Sequence, residues 1–173
     1  MSNIVALPMS RKNIRDLVKV VREAMNIQSQ LYFPIVEFLE YCQELIGYNM
    51  IILPDSELPE AYAITCIEEQ ELKIRESVYI GAIEKNPRDR FTLCHELGHI
   101  LLHSKKRISK ISLARANENV KIPSYINPEW QANTFAGELL APAYLIKGYT
   151  VEEIAHECKI SKQAAAIQLR YAH

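Results

Sequence analysis

The residues with the clearest chemical potential lie between Phe91 and His103, where a His-Glu-x-x-His pattern occurs in an otherwise apolar, helix-compatible segment. Residues four apart lie on the same face of a helix, so His95 and His99 could offer two imidazole nitrogens to one metal ion. Glu96 would lie at the edge of that face, within reach of a metal-bound water without being a ligand itself. Two ligands beside a general base are typical of zinc peptidases.

The sequence around the motif predicts the helix that would carry it. Asn86 is a favourable N-cap and Pro87 a favourable first helical residue, and only Gly98 weakens the helix before about residue 103. At about 100° per residue, the apolar side chains fall on the face opposite the histidines; they are Leu93, Cys94, Leu97, Ile100 and Leu101. We therefore expect one buried face and one ligand-bearing face. The alternative is a core helix whose histidines only form hydrogen bonds.

Length and composition are those of an ordinary globular protein. The chain has 173 residues, of which 49% are hydrophobic and 24% charged, enough for one domain or for one domain with a small appendage. The formal net charge of −1 gives no general attraction to nucleic acid or anionic membranes. We find no signal peptide, no membrane-spanning run and no metal-type spacing among the four cysteines. The sequence therefore predicts reduced thiols, a cytoplasmic location and no membrane partner.

The segments before the motif predict two helices followed by a small sheet. Apolar residues recur first at helical spacing and then in short runs bounded by turn residues. An edge strand of such a sheet could hold an extended substrate by backbone pairing. Residues 78–83 fit neither pattern clearly. The predicted segments are residues 10–26 and 34–47 for the helices, and residues 48–53, 61–67 and 71–77 for the strands, the last two forming a hairpin.

A second segment, residues 127–142, opens with Asn-Pro and closes with Pro, which predicts another helix. Small residues flank Glu129 on one face, so this face could approach Gly98 closely enough for Glu129 to become a third metal ligand. Asn133, one turn later, could orient a histidine by a hydrogen bond. Glu138 competes as a ligand, but nine residues at about 100° each place it opposite Glu129. The alternative is a packing helix with an exposed acid at its N-terminus.

Two further segments allow a functional interpretation. Residues 104–121 contain six basic residues and one acid, and we favour a solvated connection over a substrate- or nucleic-acid-binding loop, because no aromatic or glycine-rich pattern accompanies the charge. After the capping residues Thr150 and Ser161, two short helices resemble a helix-turn-helix. The second carries only Lys162 and Arg170, too few cations to neutralise phosphates, so a structural helical cap is favoured over DNA binding.

The motif His-Glu-Leu-Gly-His-Ile-Leu-Leu-His, followed later by Glu-Trp-Gln-Ala-Asn-Thr-Phe-Ala-Gly-Glu-Leu-Leu-Ala-Pro, resembles the ImmA/IrrE family of metallopeptidases. The likeness covers residues 48–142 well and the C-terminal part loosely. It implies an α+β, zincin-like fold, with a small mainly antiparallel sheet packed on the HExxH helix, and one zinc ion per chain. By motif position, His95, His99 and Glu129 would be the zinc ligands and Glu96 the catalytic base.

Sequence and resemblance together divide the chain into a metallopeptidase domain over residues 1–147, helical over residues 1–47, and a C-terminal helical pair over residues 148–173. The resemblance implies a zinc endopeptidase that cleaves a helix-turn-helix repressor serving a mobile element, a prophage or a stress response. We expect that repressor to be a separate protein, because the sequence shows no DNA-binding domain of its own. Direct nucleic-acid binding is not favoured, and no oligomeric state is predicted.

The competing hypothesis is a DNA- or protein-binding regulator with a structural, non-catalytic zinc site. Such a site normally has four protein ligands, and no Cys or His at suitable spacing supplies the fourth. A catalytic site would need a donor that stabilises the oxyanion, for which His103, Tyr125 and Tyr144 are the candidates. His103 follows His95 by about 12 Å of helix rise, so we do not expect both to bind one ion.

Overall fold

The computed structural model describes residues 4–103, 108–110 and 122–172. Within these residues, helices and strands mix in the predicted α+β arrangement. The helices are α1 (Arg11–Ala24), α2 (Ile35–Tyr41), α3 (Gln43–Ile46), α4 (Glu76–Ile83), α5 (Pro87–Leu102), α6 (Pro128–Leu140), α7 (Val151–Cys158) and α8 (Lys162–Arg170). The strands are β1 (Ile4–Ala6), β2 (Asn49–Leu53), β3 (Ala63–Cys66), β4 (Glu71–Arg75) and β5 (Ile108–Lys110).

The main sheet has the strand order β2–β4–β3 and is mixed, not mainly antiparallel as predicted. The predicted hairpin is confirmed, because β3 and β4 pair antiparallel with Cys66 opposite Glu71. β2 instead pairs with β4 in parallel. Residues 54–62 carry the chain from β2 to the far side of β4 before the hairpin begins, so β2 and β4 run in the same direction. A separate antiparallel pair joins β1 to β5.

The first predicted helix is confirmed as α1, whereas the second is interrupted. Ser10 and Asn13 form a capping box at the start of α1. The predicted helix over residues 34–47 is divided at Cys42 into α2 and α3. Beside this break the Gln43 side chain donates to the carbonyl of Glu40 and accepts from the backbone of Met50, so side-chain bonds compete with the helical ladder. Residues 78–83, which matched no pattern, lie in α4.

The two predicted helices that carry the candidate ligands are confirmed as α5 and α6. Asn86 caps α5 and Asn127 caps α6, each through its side-chain oxygen, and proline follows both caps. The helices pack closely at Gly98, where an added Cβ would lie 3.1 Å from Cα of Ala132. The small face of α6 therefore meets the motif helix at the expected place.

Two fully buried arginines bond α1 to the end of α6 and α5 to the end of α7, a feature that the sequence analysis did not predict. Arg22 of α1 donates to the carbonyl of Leu139 at the end of α6, over 2.6 Å, and also to the carbonyl of Gln30. Arg90 of α5 donates to the carbonyls of Phe33 and Cys158, over 3.0 and 3.3 Å. Leu139 and Cys158 lie in the last turns of α6 and α7, so two of these bonds satisfy carbonyls that have no donor within their own helix.

The C-terminal helices begin at the predicted caps, Thr150 and Ser161. α8 packs against α6, where Nε2 of Gln168 donates to the carbonyl of Ala141 over 3.3 Å. The division of the chain at residue 147 stays a prediction. Apart from residues 108–110, the basic segment over residues 104–121 lies outside the described residues. None of the described helices combines the length and the apolar character that a bilayer span requires.

Candidate metal centre and active site

Three side chains from two helices converge on one point. His95 and His99 extend from α5 towards Glu129 in the first turn of α6, and each His Nε2 lies 3.4 Å from a carboxylate oxygen of Glu129. The two Nε2 atoms are 3.0 Å apart. Of the described residues, these three form the group of His, Cys, Asp and Glu side chains that could hold a metal ion.

The geometry of this cluster fits a four-coordinate metal ion. Bonds of about 2.0–2.1 Å in a tetrahedral zinc site separate neighbouring ligand atoms by about 3.3 Å. The distances of 3.0 to 3.4 Å between the donors match that separation. The histidine side chains are 17% and 16% exposed but that of Glu129 is 67% exposed, so the cluster opens to solvent on the α6 side. An ion held there would have room for a further, non-protein ligand.

The structure separates the two glutamates that competed for the third position. Glu138 is 1% exposed, and its carboxylate lies 2.9 Å from Nη1 of Arg11 and 3.0 Å from Nε of Arg15. Both arginines belong to α1, on the side of α6 away from the histidines. The two glutamates lie on opposite faces of α6, as their angular separation predicted, and Glu129 is the one beside His95 and His99. Its role as a metal ligand stays a prediction.

Glu96 is a buried carboxylate beside the cluster. Its Oε2 accepts a hydrogen bond of 2.8 Å from the hydroxyl of Thr65 on β3, so the sheet and α5 meet at this group. Burial raises the pKa of Glu96, and the charge of Glu129 acts in the same direction, against the opposing effects of Thr65 and His95. A raised pKa suits a general base that works near neutral pH. The sequence analysis missed Thr65, whose only signal was a polar side chain on a short strand.

Each histidine of the cluster has a partner behind it. Oδ1 of Asn133 lies 3.0 Å from Nδ1 of His95, in the position expected for an orienting residue. Nδ1 of His99 lies 2.9 Å from Nδ1 of His103, whose Nε2 lies 3.0 Å from Oε1 of Gln131. Gln131 was missed, because a polar side chain on a helix gives no sign of its burial until its neighbours are known.

The structure distinguishes the three candidates for an oxyanion donor. His103 is fully buried behind His99 and bonds to Gln131, so it does not face the open side of the cluster. The Tyr144 hydroxyl donates to the carbonyl of Gln28 over 3.0 Å. Tyr125 is about half exposed, in the turn that precedes α6. An oxyanion role for Tyr125 stays a prediction.

The sequence model of the peptidase M78 family, described as the IrrE N-terminal-like domain, matches residues 59–170. The chain belongs to this family. The expected likeness to ImmA/IrrE metallopeptidases is thereby confirmed. The match to peptidase M78 includes α5 and α6 with the metal cluster, and it continues through the C-terminal helices. No curated protein matches the chain. Membership of a peptidase family, together with the His-His-Glu cluster, indicates a metallopeptidase-type function.

We expect the metal-free protein to lose stability as the pH falls below about 6.5. Burial, with a smaller effect from the charges of His95 and His103, lowers the pKa of His99 to about 3. The unfolded chain, with a histidine pKa of about 6.5, then binds a proton that the folded chain does not. The contribution of His99 is fully present above that value and is lost as the pH falls towards 3. Between pH 7 and pH 5 the loss should be about 2 kcal/mol.

Urea unfolding of the chelator-treated protein at both pH values measures this loss, and the His99→Gln variant is the control. The raised pKa of Glu96 has the opposite effect on the pH dependence, but Glu96 is present in both proteins. The difference between them therefore isolates His99. Equal losses of stability in the two proteins would contradict the prediction.

Proposed function

We propose that the chain is a zinc-dependent metallo-endopeptidase that performs limited proteolysis. The observation that carries the proposal is the open cluster of His95, His99 and Glu129 with Glu96 beside it. A structural zinc site normally has four protein ligands, whereas the described residues bring only three donors together here. The open side supports catalysis over the alternative of a DNA- or protein-binding regulator with a structural zinc site.

The chemistry can be assigned to particular side chains. His95, His99 and Glu129 would hold a zinc ion, which would supply Lewis acidity and lower the pKa of a water molecule to about 7. Glu96, held by the hydroxyl of Thr65, accepts a proton as the water oxygen bonds to the peptide carbonyl carbon. Glu96 then delivers that proton to the amine nitrogen as the carbon–nitrogen bond breaks.

Two surfaces beside the cluster support a polypeptide substrate. β3 is an edge of the main sheet as described and lies against α5, so its free side could pair with an extended peptide next to Glu96. An apolar groove also begins at Asn133 and passes Phe91 and Trp130 towards Ile167 of α8. Such a groove suits apolar side chains on one side of the scissile bond.

We further propose that the substrate is a helix-turn-helix repressor, a separate protein in the cytoplasm that controls a mobile element, a prophage or a stress response. This step rests on the family likeness and not on the geometry of the site. Direct DNA binding by α7 and α8 is less well supported. Lys162, one of the two cations of α8, lies 3.5 Å from Glu152 of α7, so part of its charge is already balanced.

Co-expression with the repressor encoded nearest to this gene tests the substrate assignment. Under inducing conditions, mass spectrometry should find the repressor cut between or beside its helix-turn-helix and oligomerisation parts. Co-expression with the Glu96→Gln variant should leave it intact. A repressor that stays whole under induction, beside an enzyme with full metal content, would contradict this substrate.

A further inference from the structure

A buried line of polar side chains runs from the main chain around α6 to His99. Gln131 is fully buried, and its Nε2 donates to the carbonyls of Leu7 and Tyr125, over 2.9 and 2.8 Å. Carbonyl oxygens only accept hydrogen bonds, so the nitrogen of the Gln131 amide must lie at this end. Its Oε1 therefore faces His103, 3.0 Å from Nε2.

This amide orientation determines where the hydrogens lie on both histidines. Oε1 of Gln131 is an acceptor, so Nε2 of His103 carries a hydrogen. His103 is fully buried between an amide and another imidazole, which favours the neutral ring. Its Nδ1 is then bare and accepts from Nδ1 of His99, over 2.9 Å. His99 therefore carries its hydrogen on Nδ1 and presents a bare Nε2 to His95 and Glu129.

We propose that Gln131 and His103 are positioning residues that set the tautomer and ring orientation of His99 for metal binding. Metal-binding histidines usually donate their second nitrogen to a carboxylate, a carbonyl or water. Here the acceptor for His99 is the imidazole of His103. That imidazole is held by the amide of Gln131, which in turn is held by two backbone carbonyls. The proposal rests on the metal-binding part of the proposed function and does not require peptide cleavage.

The line also links the metal cluster to distant parts of the chain. Leu7 follows β1 near the N-terminus, and Tyr125 lies in the turn before α6. The backbone of Met9 donates to the carbonyl of Tyr125 over 2.8 Å, so the N-terminal segment and the turn are bonded to each other as well. The carbonyls of Leu7 and Tyr125 fix the orientation of the Gln131 amide, and the tautomer of His99 follows from that orientation.

The first experiment needs no substitution. Nitrogen-15 NMR of the histidine rings in the metal-free protein at neutral pH should show His99 as a single tautomer with its hydrogen on Nδ1, and His103 with its hydrogen on Nε2. A hydrogen on Nε2 of His99 in the wild-type protein would overturn the proposal.

The second experiment compares two buried glutamines. Gln131→Met removes the oxygen that His103 needs, and zinc affinity measured by competition with a chelator should fall about 10- to 100-fold. His99 in its metal-free form should then populate both tautomers. Gln168→Met is the control, because Gln168 is also buried and donates to a carbonyl but forms no hydrogen bond with a histidine in the described part of the chain. Its zinc affinity should remain within about threefold of wild type.

These results separate a positioning role from a merely structural one. If Gln131 contributed only to stability, Gln131→Met would lower the unfolding temperature but keep the tautomer of His99 and its zinc affinity, which would overturn the proposal. His103→Phe provides a second variant, for which we expect a similar loss of affinity. A wild-type protein that binds zinc with the expected tautomers yet cleaves no partner would count against the peptidase proposal alone.

Discussion

Replacing Glu96 with glutamine should remove most of the peptide hydrolysis while leaving the protein with its metal ion. Glutamine matches the size of glutamate and can still accept from Thr65, which now bonds Oε2 of Glu96 over 2.8 Å. It cannot, however, take a proton from water at neutral pH. General base catalysis contributes about 10²- to 10⁴-fold, so we expect a loss of rate in that range.

Quantitative mass spectrometry of substrate fragments, with metal analysis of the same preparations, measures both parts of this prediction. Glu57→Gln, at an exposed position in the turn after β2, is a matched control that should keep both activity and metal. Retained cleavage by Glu96→Gln would show that another group accepts the proton, and the proposed mechanism would then be wrong.

Replacing Glu129 with alanine should remove most of the bound zinc, whereas replacing Glu138 should not. Glu129 is the carboxylate placed 3.4 Å from both Nε2 atoms. Losing a direct ligand should cost more than the roughly 10- to 100-fold in metal affinity that the loss of an orienting residue costs. The test is the zinc stoichiometry of the two purified variants after dialysis against the same free zinc concentration.

Glu138→Ala should instead lower the free energy of unfolding. Its carboxylate is buried between Arg11 and Arg15, and its removal leaves both arginines without their acid. Breaking a buried ion pair costs about 3–5 kcal/mol, but these arginines are partly solvated, so we expect roughly 2–4 kcal/mol. Zinc loss in Glu138→Ala with zinc retained in Glu129→Ala would reverse the assignment. Equal zinc loss in both would contradict the assignment of Glu129 alone as the third ligand.

The two predictions differ in what they test. Metal retention in Glu96→Gln tests whether Glu96 is a base and not a ligand. The paired variants of Glu129 and Glu138 test which face of α6 meets α5. The Gln131 variant tests a third question, whether the tautomer and ring orientation of His99 are set before any metal binds. A protein could satisfy the last two and still fail the first, which would leave the zinc site in place with a group other than Glu96 accepting the proton.

Much of the site could be predicted from the sequence because its elements depend on local geometry. Asn-Pro pairs marked the starts of α5 and α6, and both helices begin there. Spacing of four residues places His95 and His99 on one face of a helix whatever surrounds it. Spacing of nine residues likewise separates Glu129 from Glu138. Gly98 and the small residues of α6 indicated where the helices would approach, and they do so at Ala132.

The remaining features depend on contacts between segments that are far apart in the chain. The periodicity of residues within one helix or strand does not predict such contacts. Strand direction is an example, since β2 alone has no preference for a parallel or an antiparallel neighbour, and the path of residues 54–62 determines it. The hydrogen bond from Thr65 to Glu96 spans 31 residues, and that from Gln131 to Leu7 spans 124. Polar side chains such as these acquire their roles only when packing excludes water and fixes their hydrogen-bond partners.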